Sequence, residues 1–358
     1  MQQIDTPKVF SVRLPNLATV NAHASTLNGA HSSRILRRSR RAYLNQLVRL
    51  WNHWPEQFRV SPVGRAFGSH LHSVVQANAD RRQYFGTFFL RNRAELELMN
   101  RLVNQKPHGE ELRISIVACS KGAEVYSIMW ALRSARPDLK IRMHAVDISS
   151  EILEFAEKGI YSRFSGAHQE ALNGQRSLDW NTAQDQNAPI FERMTEEELQ
   201  AIADLAGDEV RIRPSIKKGI TWIQGDAASP ELVAVLGLQD LVVANRFLCH
   251  MMPVDAEKCL RNLVRLVKPG GYLFISGIDL EVRLKVAADL GWKPVTELMK
   301  EVYEGDSSLA KGWPLEYWGL EPFSAQRTDW KMRYASVFQI GQVLETFQDS
   351  RAGSQFRD

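Results

Sequence analysis

Apolar and polar positions along the chain follow two alternating periodicities, one typical of strands and the other of helices. Compact apolar runs at 112–118 and 141–146 each precede a stretch with apolar residues at every third or fourth position. Those stretches predict helices over 123–134 and 150–158. Strands that alternate with helices indicate a parallel sheet covered by helices on both faces. We therefore expect an α/β fold.

The same alternation continues through the second half of the chain. The last strand pair is antiparallel in our prediction, and its two members are separated by far more residues than a hairpin loop contains. In chain order the predicted elements are a strand ending at 222–227, a strand at 240–245, a helix at 256–267, a strand at 272–276, a helix at 280–290, and a final pair at 292–296 and 334–340.

Composition shifts divide the chain into a main domain with flanking segments. A small helical region precedes the main domain, and its first helix, over 34–54, has an apolar Leu/Trp face and a basic face. The predicted divisions are a flexible arm at 1–33, a helical region at 34–83, a main domain at 84–345 with a small inserted subdomain at 162–220 and a Trp-rich insertion at 297–332, and a tail at 346–358.

Composition and charge narrow the class of protein. The 358 residues are 44% apolar, enough for a normal core, and no apolar run approaches the roughly 20 residues that cross a bilayer. Three cysteines without a C-x-x-C motif form neither a disulfide framework nor a metal site, so we expect a cytoplasmic protein. The net charge is +4, and residues 1–55 contain eight Lys or Arg residues against one acidic residue.

The turn after the first strand is the best candidate for a cofactor cradle. Ala118, Ser120 and Gly122 are small, and Glu124 lies in the first turn of the following helix. Such a strand–turn–helix unit lets the backbone approach a nucleotide-like ligand closely. Neither G-x-G-x-x-G nor G-x-x-x-x-G-K-[ST] is present, which argues against a pyrophosphate or triphosphate ligand.

Two acids beside this turn suggest which ligand binds instead. Glu124 would repel a phosphate but would attract a cation such as the ammonium of a methionine moiety. Asp147 ends the next strand, at the spacing of an acid that accepts hydrogen bonds from ribose hydroxyls. Both acids have a simpler interpretation as helix caps. Together they favour S-adenosylmethionine over NAD.

At this point the sequence resembles a known family. Ala118-Cys-Ser-Lys-Gly-Ala-Glu-Val-Tyr-Ser127 is similar to the G-C-S-T-G-E-E-P-Y-S signature of the CheR-type chemotaxis receptor methyltransferases. The resemblance covers roughly residues 84–282 and preserves the order of the motifs. The other matching segments are 87–91 (T-x-F-F-R in the family), 147–161 (D-I-S…I-L…A…G-x-Y), 245–250 (R-N-V-L-I-Y) and 268–274 (P-G-G-x-L).

The resemblance implies a class I methyltransferase with a Rossmann-like sheet and S-adenosylmethionine as its cofactor. Thr87 and Arg91 would contact the methionine end of the cofactor, and Asp147 with Ile148 would contact the ribose. In class I methyltransferases an acid and a small residue after the third strand often reach adenine. Asp226 and Ala227 are the candidates here, although Asp226 is also placed to cap a helix.

The segment beside the reacting methyl group departs from the family pattern. Asn245 and Arg246 are exchanged relative to R-N, and His250 replaces a Tyr. A base is required only when the acceptor carries a proton, so His250 is a candidate catalytic residue for a hydroxyl or amine acceptor, along with Arg91. A structural role for His250 is the alternative.

We therefore expect a CheR-like S-adenosylmethionine-dependent methyltransferase that acts on a protein carboxylate or on an oxygen or nitrogen of a small molecule. A noncatalytic cofactor-binding module is one alternative. A nucleic-acid methyltransferase is another, but the chain lacks the N-P-P-Y or D-P-P-Y loop and nucleic acid is not the favoured partner. The basic helix or the Trp-rich insertion would contact a protein partner.

Overall fold

The computed structural model of the protein describes five stretches of the chain, residues 42–59, 61–78, 86–163, 190–306 and 322–341. Five predicted features lie wholly or partly outside them: the arm, the arginine-rich start of the first helix, residues 164–189 of the insert, residues 307–321 of the Trp-rich insertion, and the tail. In the described part of the chain, no helix has the length and apolar character required to cross a membrane.

Helices and strands alternate as the apolar pattern predicts. The strands in chain order are β1 Glu111–Val117, β2 Lys140–Asp147, β3 Ile160–Ser162, β4 Ala203–Ala206, β5 Glu209–Ile212, β6 Ile220–Gln224, β7 Gln239–Val243, β8 Val267–Phe274, β9 Lys293–Pro294 and β10 Val337–Gln339. The helices are α1 over 42–53, α2 Glu56–Arg59, α3 Pro62–Asn78, α4 Arg93–Val103, α5 Ala123–Ala135, α6 Ser150–Lys158, α7 Glu196–Ile202, α8 Pro214–Lys217, α9 Glu231–Leu236, α10 Pro253–Val264, α11 Leu280–Asp289, α12 Met299–Glu304 and α13 Trp330–Tyr334.

Seven strands form one sheet in the order β6-β2-β1-β7-β8-β10-β9. Strands β6, β2, β1, β7 and β8 are parallel, whereas β10 runs antiparallel to both of its neighbours. This order and the reversed β10 define the class I methyltransferase fold, which confirms the predicted fold class. Strands β2 and β6 lie on one side of β1, and the strands from β7 onward lie on its other side. In such sheets, ligands bind at the carboxyl edge next to the strand where this change of side occurs.

The two faces of the sheet carry separate apolar cores because the central strands are buried on both sides. Ile114 and Ile116 of β1 belong to the core on one face, together with Met129 of α5. Val242 of β7 belongs to the other, with Leu263 of α10. Strands buried on both faces read as continuous apolar runs, which is why their positions follow from the sequence.

Strand β8 differs from its prediction. The segment Lys268-Pro-Gly-Gly was expected to end a helix over 256–267, but α10 ends at Val264 and the strand already begins at Val267. The pairing of β7 with β8 is irregular: Gln239 pairs with Val267, whereas Leu241, two residues later, pairs with Tyr272. The glycines at this position therefore accommodate an irregular strand.

A second, three-stranded antiparallel sheet has the order β3-β5-β4. The two short strands that the sequence suggests over 211–223 belong to different sheets, because β5 lies in this small sheet and β6 forms an edge of the main one. Tyr161 of β3 donates a hydrogen bond to the carbonyl of Lys121 at 2.6 Å. This bond ties the small sheet to the turn after β1.

The described N-terminal helices have an apolar core of their own and are attached to the main domain by polar contacts. Trp51 of α1 and Leu71 of α3 belong to this core. His72 of α3 lies 2.9 Å from the Asp279 carboxylate, to which Gln76 donates at 2.8 Å. Gln76 also donates to the carbonyl of Cys249, so α3 contacts the loop that follows β7.

We expect Gly159→Ala to destabilise the fold more than Gly207→Ala. Both glycines have a left-handed backbone, with φ of 58° and 62°, so both substitutions incur a similar strain of about 1 kcal/mol. A Cβ at Gly159 would lie 2.9 Å from the hydroxyl of Tyr126, whereas no described atom lies within 4 Å at Gly207. Overpacking adds about 1 to 3 kcal/mol to the loss of unfolding free energy for Gly159→Ala. Urea denaturation measures both losses, and equal values would contradict this account.

Candidate active site

A cleft lies at the carboxyl edge of the main sheet, where β1, β2, β6 and β7 end. Most of the predicted site residues meet there, although they come from distant parts of the chain. The residues that line the cleft are Gly86, Thr87, Arg91, Val117, Ala118, Cys119, Ser120, Glu124, Asp147, Ile148, Gly225, Ala227, Asn245, Arg246, Phe247, His250 and Met251.

The turn after β1 brings its backbone to the cleft through two residues in a strained conformation. Ala118 and Ser120 have φ of 57° and 51°, in the left-handed region that non-glycine residues seldom adopt. Hydrogen bonds hold this conformation, from the Cys119 amide to the Val146 carbonyl and from the Ser120 amide to Asp147 Oδ2, both at 2.9 Å. The turn therefore presents its backbone directly to a ligand.

Gly122 is a predicted site residue that does not line the cleft. Its φ is 83°, and a Cβ there would lie 3.1 Å from both Ala156 and Trp222. The glycine thus allows α5 to pack closely against its neighbours at its first turn. Its contribution to the cleft is indirect.

Asp147 ends β2 and points into the cleft. Its carboxylate accepts hydrogen bonds from the amides of Ser120 at 2.9 Å and Ser149 at 3.1 Å. Burial nevertheless raises the pKa of Asp147, because the desolvation effect exceeds the opposing effect of these amides. A carboxylate in this position can accept hydrogen bonds from ligand hydroxyls, as expected, and Ile148 beside it also lines the cleft.

Glu124, Asn245 and Glu95 form a buried polar cluster on one side of the cleft. Asn245 Nδ2 donates to Oε1 of Glu124 and to Oε1 of Glu95, each at 2.8 Å. Ser276 donates to the other end of the amide at 2.8 Å, which fixes its orientation. Burial raises the pKa of Glu124. It raises the pKa of Glu95 to about 8, with a further contribution from the charge of Glu124.

Sequence reasoning missed Glu95, although a signal for it exists. Glu95 shares the buried face of α4 with Leu98, Met99 and Leu102, at helical spacing. An acid on the apolar face of an amphipathic helix is seldom buried unless it has a partner. Its partner, Asn245, is 150 positions away in sequence.

Three arginines converge on Asp306 next to the cleft, and two of them, Arg91 and Arg246, line it. The Asp306 carboxylate lies 3.9 Å from Arg91 Nη1, 3.3 Å from Arg193 Nη1 and 3.4 Å from Arg246 Nη1. Arg193 also donates to the carbonyl of Arg91 at 2.6 Å, and Arg91 donates to the carbonyl of Gly86 at 2.9 Å. Arg91 also lies within reach of the charge of Glu124, so acidic and basic groups lie together in this region. Arg193 and Asp306 do not line the cleft and belong to no motif, so no local pattern in the sequence points to them.

His250 lies at the end of a short 3₁₀ turn, Leu248–His250, that follows Arg246. Arg246 has a φ of 59°, and its amide donates to the carbonyl of Ser276 at 2.8 Å. Gly277 packs so closely that a Cβ there would lie 2.8 Å from Arg246 Cα. Burial lowers the pKa of His250 to about 3, with a further contribution from the charge of Arg246. The imidazole is therefore neutral at physiological pH.

The remaining predicted residues differ in their positions. Thr87 and Ala227 line the cleft, and the amide of Asn262 donates to the Ala227 carbonyl at 2.9 Å. Asp226 is not among the lining residues. Its carboxylate accepts a hydrogen bond from the amide of Ala228 at 2.8 Å, in a turn that leads into α9. This hydrogen bond agrees with the alternative interpretation of Asp226 as a capping residue.

Family comparison identifies the class of protein. Residues 86–188 match the model of the CheR methyltransferase, SAM binding domain, and residues 196–275 match a general methyltransferase domain. Together with the strand order, these matches make this a class I S-adenosylmethionine-dependent methyltransferase domain. Residues 86–188 are similar to the CheR-type domain in particular, as the motifs of the sequence predicted.

Similar proteins are distant. The chain is 25% identical over 219 residues to Chemotaxis protein methyltransferase 2 of Vibrio cholerae, a match that covers 59% of this chain and 66% of the relative. It is 22% identical to the Probable biofilm formation methyltransferase WspC of Pseudomonas aeruginosa, covering 57% of this chain and 42% of the relative. The chain thus spans less than two thirds of the length of these relatives.

Among solved structures, magnesium protoporphyrin IX methyltransferase from Synechocystis PCC 6803 is 14% identical, with a TM-score of 0.29 and coverage of 77% of this chain and 90% of that one.

We expect Ala118→Gly to stabilise the protein. The left-handed backbone at Ala118 costs an alanine about 1 to 2 kcal/mol, whereas glycine adopts it freely at an entropic cost of about 0.5 to 1 kcal/mol. The matched control is Ala288→Gly on the exposed face of α11, which should lose about 1 kcal/mol of unfolding free energy. Urea denaturation of both variants is the measurement. A loss at Ala118 as large as that at Ala288 would show that the backbone there is not strained.

Proposed function

We propose that the protein transfers the methyl group of S-adenosylmethionine to a carboxylate, and that this carboxylate belongs to a protein side chain. The observation that carries the choice of acceptor is Arg246, whose guanidinium-bearing side chain belongs to a residue that lines the cleft.

The residues of the cleft fit S-adenosylmethionine. The ligand has a cationic amino group, and Glu124 offers it a buried carboxylate. Asp147 would accept hydrogen bonds from the ribose hydroxyls, beside Ile148. Thr87 and Arg91 would hold the methionine carboxylate, and the adenine would lie against Ala227.

Three further predicted residues keep narrower roles in this proposal. Ala118 and Ser120 would place the turn backbone against the ligand, because both line the cleft. Asp226 would act through the turn that positions Ala227.

The chemistry requires alignment more than proton transfer. A sulfonium-bound methyl group is a strong electrophile, and the chain's task is to hold an acceptor oxygen in line with it. Arg246 lines the cleft and would bind an acceptor carboxylate through charge-assisted hydrogen bonds. Arg246 is held rigidly by the Ser276 carbonyl and by the close approach of Gly277.

The state of His250 supports the same acceptor. A hydroxyl or amine acceptor must lose a proton, and an efficient base has a pKa near the working pH. Burial and Arg246 lower the pKa of His250 to about 3, which makes it a weak base. A carboxylate is already ionised at neutral pH, so its methylation requires no base.

The acceptor is tested by the chemistry of the product. Purified protein, tritium-labelled S-adenosylmethionine and a lysate should yield labelled proteins that release methanol in mild alkali, because methyl esters hydrolyse there and methylamines and methyl ethers do not. Arg246→Gln should lower kcat/KM at least about tenfold. Exposed Arg211→Gln is the matched control. Alkali-stable label would reject the carboxylate acceptor, and cofactor binding without any labelled product would favour a noncatalytic module.

His250→Gln should retain methyl transfer within about threefold, and the rate of the unaltered protein should show no inflection near pH 6.5. The reason is the sign of the shift: a histidine whose pKa is lowered to about 3 stays neutral at every pH above that value. A general base contributes about a hundredfold or more to a rate. Initial rates at saturating S-adenosylmethionine between about pH 5.5 and 8 are the measurement, and a loss of about a hundredfold in His250→Gln would show that His250 is the base.

A further inference from the structure

The buried Glu95 has no role in the function proposed above, yet it shares the side-chain amide of Asn245 with Glu124, the residue that would bind the cofactor's amino group. We propose that Glu95 is a positioning residue that holds a proton beside Glu124 in the free protein and releases it when the cationic amino group of the cofactor binds. This inference rests on the proposed cofactor site and deepens it, because it makes cofactor affinity depend on pH.

The geometry places the two carboxyl groups on either side of one nitrogen. Asn245 Nδ2 lies 2.8 Å from Oε1 of Glu95 and 2.8 Å from Oε1 of Glu124. The hydroxyl of Ser276 engages the amide oxygen, so the amide cannot turn that oxygen toward the acids. Glu124 lines the cleft, whereas Glu95 lies behind it and is only 5% exposed.

Two carboxylates this close in a buried site cannot both be charged without a counter-ion. The charged groups that face Glu95 come from three other positions: Glu124 on α5, Asp306 after α12 and Arg91 before α4. Two of these three are acidic, and Arg91 is already engaged with Asp306. Burial, followed by the charge of Glu124, accordingly raises the pKa of Glu95 to about 8.

A bound ammonium group changes this balance. A cation next to Glu124 offsets the repulsion between the two acids and favours the ionised form of both. The O–H bond of Glu95 breaks, its electron pair stays on the carboxylate, and the proton passes to solvent. The site then holds two carboxylates, the amide of Asn245 and one cation.

The direction of the pH effect follows from this linkage. Glu95 has a higher pKa in the free protein than in the complex, so binding competes with protonation below about pH 8. Affinity should rise with pH between 6 and 7.5, by up to about tenfold for each pH unit. A ligand without the amino group should show no such rise.

Calorimetry with two probes tests the inference. S-adenosylhomocysteine carries the amino group, and 5′-methylthioadenosine has the same nucleoside without it. Both are titrated between pH 6 and 7.5, where the amino group stays cationic, in two buffers of different ionisation enthalpy. The proteins are the unaltered chain, Glu95→Gln and, as the matched control, Glu97→Gln. Glu97 is exposed on the same helix and pairs with Arg101.

We expect the affinity of the unaltered protein and of Glu97→Gln for S-adenosylhomocysteine to rise at least fivefold over this range, with release of most of one proton. Glu95→Gln should bind S-adenosylhomocysteine no more tightly at any pH than the unaltered protein does at pH 6, and its binding should release no proton. 5′-Methylthioadenosine should bind with the same affinity throughout. This last comparison uses only the unaltered protein, so it decides the question even if Glu95→Gln does not fold.

Two results would overturn the inference. One is that the affinity of the unaltered protein for S-adenosylhomocysteine does not change between pH 6 and 7.5. The other is that affinity rises equally with pH when the ligand is 5′-methylthioadenosine or the protein is Glu95→Gln. Failure of the proposed function looks different, because folded protein would then bind neither probe at millimolar concentration.

Discussion

The hydrogen bonds of a single amide side chain, Asn245, hold the cofactor side of the cleft together. This residue follows β7 and joins Glu124 of α5, Glu95 of α4 and Ser276 after β8. Each partner is buried or half-buried, so the loss of any one of these bonds would leave a polar group with neither solvent nor partner. Each such group would lower the free energy of unfolding by about 1 to 3 kcal/mol. A hydrophobic residue at 245 would leave two carboxyl groups facing each other.

The CheR-type pattern has a cation at the position of Asn245, in its R-N pair. The exchange to Asn245-Arg246 moves the cation one residue along the chain, where it pairs with Asp306. An amide therefore lies between Glu95 and Glu124, and Arg91 is a cation within reach of both acids.

Much of the fold and part of the site follow from the sequence, for a shared physical reason. Buried parallel strands produce continuous apolar runs, and the carboxyl ends of neighbouring strands meet at one edge. Ala118, Asp147 and Asn245 end or follow such strands, so local pattern was enough to place them together. The bulge in β8 was missed because Pro and Gly normally signal the end of an element.

The other site residues depend on contacts that no local pattern contains. Arg193 and Asp306 lie behind Arg91 and Arg246 in segments next to the two insertions, and their pairing joins positions 113 residues apart. Glu95 was visible as an acid on an apolar face, but its function depends on a partner far away in sequence. Gly122 and Asp226 have motif positions typical of ligand contact, and the structure also gives each a local packing or turn-capping role.

Strain in the backbone and the low basicity of His250 have a common origin in close packing around the loop after β7. Arg246 adopts a left-handed conformation at a cost of about 1 to 2 kcal/mol because Gly277 leaves room for it and the Ser276 carbonyl fixes its amide. The same arrangement turns the chain so that His250 is buried within reach of the charge of Arg246, which lowers its pKa. An arginine fixed at this cost beside a weakly basic histidine agrees with the proposed carboxylate acceptor, because methylation of a carboxylate requires no proton transfer.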